Sequence, residues 1–213
     1  MIRIKICGVT SPDDVRLVAD AGADAVGLNF YAKSPRYVDP KAAIELLRAF
    51  PPFLAPVGVF VDTPFRRAVA LAFQLGLRAV QTYEAPPDED AFPFAHLPAF
   101  RVKDAASLQA IRQYVDGAAS FGRKPAAVLV DSYIAGEMGG TGHRAPWELL
   151  VGFDPGVPLI LAGGLTPDNV ADAILLVRPW GVDVASGVES APGKKDAGKV
   201  REFVKNARSA AHL

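Results

Sequence analysis

Two side chains that can move protons each end an apolar segment of this sequence. Cys7, the only cysteine among the 213 residues, closes the run MIRIKIC and is followed at once by a turn. Asp131 closes the run AAVLVD in the same way. A thiol and a carboxyl group can each act as a general acid or base, so the pair favours proton-transfer chemistry. The alternatives are that Cys7 only fills space and that Asp131 only caps the following turn.

Glycine-rich turns follow the last three strand candidates and are typical of an anion site. Glycine lets main-chain N–H groups approach an anion closely, and a helix start adds favourable dipole charge. One glycine pair alone is more typical of a tight turn, but three at successive strand ends favour a phosphorylated small-molecule ligand. The candidate phosphate-binding residues are Gly140, Thr141 and Gly142 in the first turn, Gly163 and Gly164 in the second, and Ser186 and Gly187 in the third.

Two basic residues add to this set. Arg36, in the segment KSPRYVDP, could hold a carboxylate through two hydrogen bonds, or could be a solvated loop side chain. Lys5 alternates with Ile4 and Ile6, so it shares the face of Cys7 that we expect to point into the fold. A lysine inside a fold needs water or a charged partner, and we therefore expect an acidic side chain beside Lys5.

The elements that must position these residues alternate between short β-rich runs and helical patterns. The strand candidates are Ile2–Cys7, Ala25–Phe30, Ala55–Val61, Ala79–Thr82, Ala99–Lys103, Ala126–Asp131, Pro158–Ala162 and Val182–Ala185. The helix candidates are Asp13–Ala21, Pro40–Phe50, Pro64–Leu75, Ala105–Gly117, Pro146–Val151, Pro167–Val177 and Lys195–Ala210. This alternation predicts an α/β fold, a (β/α)8 TIM barrel formed by residues 1–213 as a single domain. A flavodoxin-like open sheet is the alternative, but it would leave three units without a place.

Composition excludes several classes of function. Lys plus Arg and Asp plus Glu number 23 each, so no net field favours nucleic acid or an anionic membrane as a partner. A single cysteine excludes an intramolecular disulfide, and three scattered histidines predict no metal site. No apolar stretch is long enough to span a bilayer or to act as a signal peptide. We therefore expect a cytoplasmic protein.

These segments together resemble the phosphoribosylanthranilate isomerases, the barrel enzymes of tryptophan biosynthesis. The shared motifs keep their order and spacing over residues 5–189. They are KICGVT at 5–10, SPR at 34–36, GVFV at 58–61, GGTG at 139–142, AGGL at 162–165 and DVASGVE at 183–189. The resemblance implies an Amadori rearrangement of N-(5-phosphoribosyl)anthranilate to the open-chain carboxyphenylamino-deoxyribulose phosphate. It implies no metal or organic cofactor, and the chain could be a monomer or a homodimer.

The resemblance also implies roles for individual residues. Asp131 is then the general acid that protonates the ribose ring oxygen, and Cys7 is the base that removes the proton from C2. Arg36 would hold the anthranilate carboxylate. The phosphate would be held by N–H groups of Gly142, Gly164 and Gly187, with help from Ser186. We further expect Lys5 to pair with Asp183, both near the substrate, and the Lys5 cation to favour the Cys7 thiolate. Asp131 must retain a proton near pH 7, which desolvation or a substrate anion would favour.

The sequence departs from the family at the fourth strand. The usual histidine and glycine of that strand end are Tyr83 and Glu84 here, which puts the shape of this rim loop in doubt. Ala185 replaces a family serine, and the motif Phe-Asp-Trp after the first glycine turn becomes Ala145-Pro146-Trp147. Two alternatives stay open: an isomerase of a related phosphoribosyl compound from histidine biosynthesis, whose chemistry uses two aspartates, and a non-catalytic barrel that binds a phosphorylated metabolite.

Overall fold

Eight parallel strands close into a barrel, which confirms the predicted fold. A computed structural model describes residues 1–83, 94–131 and 147–211. Each strand pairs with its successor in the chain, and the first pairs with the eighth. The strands are β1 (Arg3–Cys7), β2 (Ala25–Asn29), β3 (Ala55–Phe60), β4 (Ala79–Thr82), β5 (Ala95–Arg101), β6 (Val128–Asp131), β7 (Leu159–Ala162) and β8 (Gly181–Val184). The boundaries of the single domain, 1–213, stay a prediction.

Helices follow most of the barrel strands within the described residues. They are α1 (Pro12–Asp20), α2 (Pro40–Arg48), α3 (Phe65–Leu75), α4 (Ala105–Ser120), α5 (Val170–Val177) and α6 (Ala197–Ala210). Short 3₁₀ turns cover Trp147–Leu150 and Ser186–Val188, and a hairpin of β9 (Glu189–Ala191) and β10 (Lys194–Lys195) lies between β8 and α6. No helix of these three described ranges is long and apolar enough to cross a membrane.

Local sequence explains where the helices begin. The Ser11 hydroxyl accepts a hydrogen bond from the N–H of Asp14 at 3.1 Å, and Pro12 occupies the first turn of α1. Asp39 caps α2, again just before a proline, and Asp196 caps α6. Each cap satisfies an N–H group that has no partner inside its helix. The same caps fix how the chain turns back after each strand toward the helical layer.

Successive residues of each strand point alternately to two parts of the core, the layer between strands and helices and the interior of the barrel. Ile4 and Ile6 of β1 pack in the outer cluster between strands and helices. The barrel interior is a smaller apolar cluster, formed by Val57, Ala79, Leu97, Ala99, Ala127, Leu129, Ile160 and Ala162. Lys5 alternates with the two isoleucines and lies on the interior side, as the sequence predicts. The interior is therefore a packed core whose polar members need a specific reason to be there.

Three elements differ from the sequence prediction. Strand β5 begins at Ala95 rather than Ala99, because the chain stays extended through Pro98 although proline lacks one ladder hydrogen bond. The helix expected over Pro146–Val151 is a single 3₁₀ turn in its described part. Helix α5 begins at Val170, because Asn169 accepts from the N–H of Thr166 and donates to Gly164, so the segment between them forms a turn.

Candidate active site

The two predicted proton-transfer residues end strands of the same closed parallel barrel. Cys7 is the last residue of β1 and Asp131 is the last residue of β6. Cys7 is nearly buried, with 9% of its surface exposed, and Asp131 is partly exposed. Since all eight strands are parallel, both residues lie at the carboxyl-terminal rim, where barrel enzymes carry their chemistry.

Lys5 pairs with Asp183 inside the barrel, which confirms the expected contact. The Nζ of Lys5 donates to Oδ1 of Asp183 at 2.9 Å, and both side chains are less than one tenth exposed. The two residues are also direct partners in the β1–β8 register. Burial alone would lower the pKa of Lys5, but the charges of Asp183 and Cys7 outweigh it, and the pKa is raised. Lys5 is therefore a permanent cation just beneath the thiol.

The Cys7 thiol lies against Lys5 because β2 leaves room for it. A Cβ atom built on Gly27 would lie 2.7 Å from Sγ of Cys7 and 3.1 Å from Nζ of Lys5. Burial and the nearby Asp183 raise the pKa of Cys7, whereas Lys5 and Lys195 lower it. Burial is the largest effect, so the pKa is raised overall. Lys5 thus favours the thiolate, as expected from the sequence, but desolvation of the buried thiol has the larger effect on its pKa.

The pKa of Asp131 is shifted in the direction that favours a general acid. Burial is the main cause that raises the pKa of this carboxyl group, and the negative charge of Asp183 adds to it. Arg101, its partner in the β5–β6 register, acts in the opposite direction. From the sequence, we expected a substrate anion or desolvation on binding to raise the pKa of Asp131. In the structure, the protein itself already raises the pKa before any substrate is bound.

Tyr83 directly follows β4, at the carboxyl-terminal rim of the barrel. Its pKa is raised by burial and by the charges of Asp131, Cys7 and Asp183, so the phenol stays protonated near neutral pH. The guanidinium carbon of Arg101 lies 6.0 Å from its ring centre. Tyr83 therefore offers a neutral O–H group within electrostatic reach of the two proton-transfer candidates. Its neighbour Glu84 lies outside the described residues.

Arg36 binds a carboxylate through two hydrogen bonds, but the carboxylate belongs to Glu189. Its Nε donates to Oε1 at 2.8 Å and its Nη2 donates to Oε2 at 2.6 Å. The Arg36 side chain is 22% exposed, so it is not a solvated loop arginine. The role implied by the resemblance, binding the anthranilate carboxylate, stays a prediction.

Glu189 and Lys195 are site residues to which the sequence argument gave no role. They are cross-strand partners in the β9–β10 hairpin, and Nζ of Lys195 donates to Oε1 of Glu189 at 2.9 Å. The same Nζ donates to the main-chain oxygen of Cys7 at 2.7 Å. A signal was available in the sequence, because opposite charges flank the short Ala-Pro-Gly turn at 191–193.

Gln81 is a third residue whose place in the site was not predicted from the sequence. It shares a face of β4 with the interior residue Ala79, and its register partners are Val59 and Leu97. It is only 2% exposed, and its Oε1 has no hydrogen-bond partner among the described residues. A buried amide oxygen without a partner is unfavourable for stability, which is typical of a functional position. The sequence signal was a polar residue inside an apolar strand.

The last two candidate phosphate turns lie in direct contact with each other. Gly163 and Gly164, after β7, have φ angles of 86° and 65°. A Cβ atom on Gly187, after β8, would lie 1.9 Å from the main-chain oxygen of Leu165, so only glycine allows this approach. Ser186 is exposed beside it. The structure thus brings these two turns together, whereas Gly140, Thr141 and Gly142 lie outside the described residues.

Comparisons with known proteins match the whole chain. The sequence profile described as N-(5'-phosphoribosyl)anthranilate (PRA) isomerase matches residues 4–206. A protein of Geobacter sulfurreducens named N-(5'-phosphoribosyl)anthranilate isomerase is 44% identical over 210 residues, covering 98% of this chain and 99% of the relative. The crystal structure of phosphoribosyl anthranilate isomerase from Thermotoga maritima superposes with a TM-score of 0.87 at 36% identity, over 98% of this chain and 100% of that one.

A further crystal structure of this enzyme type bears directly on the ligand. It is a complex with reduced 1-(o-carboxyphenylamino)-1-deoxyribulose 5-phosphate, and it has a TM-score of 0.84 to this chain at 35% identity. The match covers 98% of this chain and 100% of that structure. Agreement in sequence and fold over nearly the whole chain shows that this chain belongs to the N-(5'-phosphoribosyl)anthranilate isomerase family.

Proposed function

We propose that Cys7 and Asp131 carry the two proton transfers by which this chain converts N-(5'-phosphoribosyl)anthranilate to 1-(2-carboxyphenylamino)-1-deoxyribulose 5-phosphate. The chain is an isomerase of tryptophan biosynthesis, as its family membership indicates. The observation that carries the assignment of roles is the raised pKa of Asp131 at the same rim as a buried thiol flanked by two lysines. One residue is thus suited to give a proton and the other to accept one.

The first step needs an acid. Asp131 donates its proton to the ribose ring oxygen while the bond from that oxygen to C1 breaks. The nitrogen lone pair forms the C=N bond, which gives an open-chain iminium ion. Burial and the charge of Asp183 favour the protonated carboxyl group that this step consumes. Water would otherwise have to supply the proton.

The second step needs a base. The Cys7 thiolate removes the proton from C2, and the electrons of that C–H bond form the C1=C2 bond of an enolamine. The iminium nitrogen becomes neutral as it accepts the displaced electron pair. Proton loss from the C2 hydroxyl and protonation at C1 then give the ketone. Lys5 and Lys195 both favour the thiolate that this step uses. No electrons enter or leave, so the reaction is an isomerisation.

The two pKa shifts predict how the rate depends on pH. The productive form has Asp131 protonated and Cys7 ionised. It carries the same number of protons as the form with Asp131 ionised and Cys7 protonated, so the ratio of these two forms does not change with pH. We expect kcat/KM to stay level between the two raised pKa values and to fall on both sides. The acid limb should lie above the ordinary Asp value of 3.8, and the alkaline limb above the ordinary Cys value of 9.0.

Substrate binding in this proposal uses the remaining rim residues. Gly163, Gly164, Ser186 and Gly187 hold the phosphate, and contact between their two turns supports a shared anion site. Arg36, together with its neighbours, faces the anthranilate carboxylate, and Lys5 and Asp183 lie beneath the ribulose chain. The complex of a relative with the reduced product supports a phosphorylated small-molecule ligand. Gly140, Thr141 and Gly142 complete the phosphate site in this proposal.

Turnover of freshly prepared phosphoribosylanthranilate, followed by the loss of its fluorescence, tests these roles. We expect Cys7→Ala and Asp131→Asn each to reduce kcat by about 10²–10⁴-fold, the range that general acid–base groups contribute. Asp13→Asn, an exposed change on α1, is the matched control for the loss of a carboxylate. Calorimetry with the reduced product separates binding from chemistry, because both variants should retain its affinity. Wild-type turnover in Cys7→Ala would remove the assignment of the base.

The other readings are less well supported. A histidine-pathway isomerase would use two aspartates, whereas the first rim position here is a cysteine and the full-length match is to anthranilate isomerases. A non-catalytic barrel would keep ligand affinity without turnover, which the same assay detects. A cytoplasmic location and a monomeric or homodimeric state stay predictions; light scattering of the purified protein distinguishes the two assemblies.

A further inference from the structure

We propose that Glu189 and Lys195 are positioning residues of the isomerase site, whose ion pair holds Arg36 and the main chain at Cys7 in place. This inference rests on the proposed roles of Cys7 and Arg36. Neither Glu189 nor Lys195 is placed to react with substrate through the contacts described here. Both act through the residues they bind, so they position catalytic groups without being catalytic themselves.

Lys195 joins three separate parts of the chain. Its side chain is fully buried, and its ammonium group donates to three oxygens that come from different parts of the chain. These are the main-chain oxygen of Cys7 at 2.7 Å, that of Ala185 at 3.1 Å and Oε1 of Glu189 at 2.9 Å. One cation therefore joins the residue that ends β1 to the turn that follows β8. The main chain at Cys7 and the main chain just before Ser186 of the candidate phosphate turn are therefore bound by the same nitrogen atom.

Glu189 in turn binds Arg36. Glu189 is 7% exposed and receives two hydrogen bonds from the guanidinium group, a geometry that fixes both position and orientation. The Arg36 side chain also lies against the chain that leaves Cys7, because a Cβ atom on Gly8 would be 2.4 Å from its Cδ. Arg36 is thus held on one side by the carboxylate and on the other by the residue after the thiol.

The hairpin itself is fastened to the same rim. The Thr10 hydroxyl, three residues after Cys7, donates to the main-chain oxygen of Gly193 at 2.6 Å. The N–H of Gly193 donates to Oε1 of Glu189 at 3.3 Å. Lys199 on α6 donates to the main-chain oxygen of Glu189 at 2.9 Å. The β9–β10 hairpin is therefore hydrogen-bonded both to the segment after β1 and to helix α6.

Charge gives the cluster a second effect. Glu189 carries one negative charge against the positive charges of Arg36 and Lys195, so these three residues together keep one positive charge beside the thiol. Among the residues that the structure describes, the charged or titratable groups that act on Cys7 are Lys5, Asp183, Lys195, Arg36 and Tyr83. Among them, Lys195 is the cation that β10 contributes. Its charge favours the thiolate, and the unbalanced positive charge also suits an incoming substrate anion.

The test compares Lys195→Met and Glu189→Gln with the wild type in the intact protein. We expect Lys195→Met to lower kcat by the order of 10²-fold, the loss that a misplacement of about 1 Å can cause, with a smaller change in KM. We expect Glu189→Gln to raise KM about tenfold or more, because Arg36 loses the bidentate partner that orients it. Lys194→Met is the matched control, since it removes the exposed lysine next to Lys195 in the same short strand.

A second readout does not depend on turnover. Cys7 is the only cysteine, so the rate of alkylation by iodoacetamide as a function of pH reports on this thiol alone. Lys195→Met removes a nearby cation and should move the alkylation profile to higher pH. Glu189→Gln leaves two cations without their counter-charge and should move it to lower pH. A general loss of packing would not shift the two profiles in opposite directions.

The outcomes separate this inference from the proposed function. Wild-type kcat, KM and alkylation profiles in both variants, with Cys7→Ala inactive, would overturn the positioning role and leave the isomerase assignment intact. Opposite profile shifts with an active Cys7→Ala would remove Cys7 as the base, and with it the catalytic purpose of positioning the main chain at Cys7. In the double variant Glu189→Gln/Lys195→Met, both charges of the buried pair are removed, so neither is left without the other. It is the variant to use if a single variant fails to fold, as judged by far-UV circular dichroism. Opposite shifts of the two alkylation profiles, a lower kcat in Lys195→Met and a higher KM in Glu189→Gln support the inference.

Discussion

The ammonium group of Lys5 and the carboxylate of Asp183 lie 2.9 Å apart inside the barrel, across the seam where the first and last strands pair. Both side chains are less than one tenth exposed. Breaking a buried ion pair by removing one partner typically costs about 3–5 kcal/mol, because the other charge is left without compensation. We therefore expect Lys5→Met to lower the free energy of unfolding by this amount in urea titrations.

A double variant distinguishes the charge effect from the loss of packing. Lys5→Met/Asp183→Leu replaces both ions by apolar side chains, and such replacements are often neutral or stabilising. We expect it to recover most of the stability lost in Lys5→Met while turnover stays low, since Asp183 also raises the pKa of Asp131. If the double variant is as unstable as Lys5→Met alone, the pair contributes through shape and not through charge.

Gly27→Ala should impair catalysis although it replaces no titratable residue. The added methyl would lie 2.7 Å from Sγ of Cys7 and 3.1 Å from Nζ of Lys5, closer than such atoms pack. The thiol must move, and we expect kcat/KM to fall by the order of 10²-fold. Gly117→Ala, where an added Cβ meets nothing within 4 Å, is the matched control for a glycine change. Equal activity in the two variants would contradict the close fit around the thiol.

Gln81→Met should make the protein more stable and less active. Methionine has a similar volume, and it removes the buried oxygen that lacks a partner, a group whose desolvation costs about 1–3 kcal/mol. We expect a higher thermal midpoint together with a lower kcat/KM, since a polar group kept inside an apolar interior at this expense is typical of function. Thermal unfolding and the fluorescence assay measure both effects on one preparation. A stabilised variant with full activity would show that Gln81 has no role in the reaction.

His96 should make stability depend on pH. It is buried in the layer outside the barrel, its Nε2 lies 3.0 Å from Oγ1 of Thr82, and the ring of Phe65 meets it edge-on. Burial lowers the pKa of His96 from 6.5 to about 4. Between these two values the unfolded chain binds a proton and the folded chain does not. The free energy of unfolding therefore falls as the pH drops from 6.5 toward 4, by at most about 1.4 kcal/mol per unit.

His96→Phe isolates this contribution. Other groups also titrate in the acid range, so the informative quantity is the difference between wild type and variant at each pH. We expect that difference to be constant above pH 6.5 and to change steadily below it, as urea unfolding at a series of pH values measures. Parallel curves throughout the range would mean that His96 takes up its proton in the folded state as readily as in the unfolded one.

The barrel and the position of Cys7 and Asp131 were predictable from the sequence because they depend on local pattern. Strand periodicity and a following turn are enough to place a residue at a strand end, and parallel strands share one rim. The Lys5–Asp183 contact followed from one rule, that an interior lysine needs a partner. Strand β5 was misjudged at its start because Pro98 is unfavourable in a ladder, yet tertiary context keeps the chain extended.

What could not be predicted depends on contacts between distant segments. Arg36 meets Glu189 across 153 residues of sequence, and nothing local to either residue specifies the pairing. The pKa of Cys7 is a balance between desolvation and two cations, and only the folded geometry decides which is larger. The sequence shows which charged residues are present, but their effect on the pKa of the thiol depends on its burial and on their distances from it in the folded chain.

Lys195 reaches back 188 residues to the oxygen of Cys7, so the order of synthesis matters for this site. The thiol leaves the ribosome first, and its ammonium neighbour leaves only after all eight barrel strands have been made. A nascent chain that ends before β10 contains Cys7 and Asp131 but lacks the group that joins the main chain at Cys7 to the turn after β8. Full enzymatic activity in a growing chain should therefore appear only after the β9–β10 hairpin has been made, later than the eighth strand.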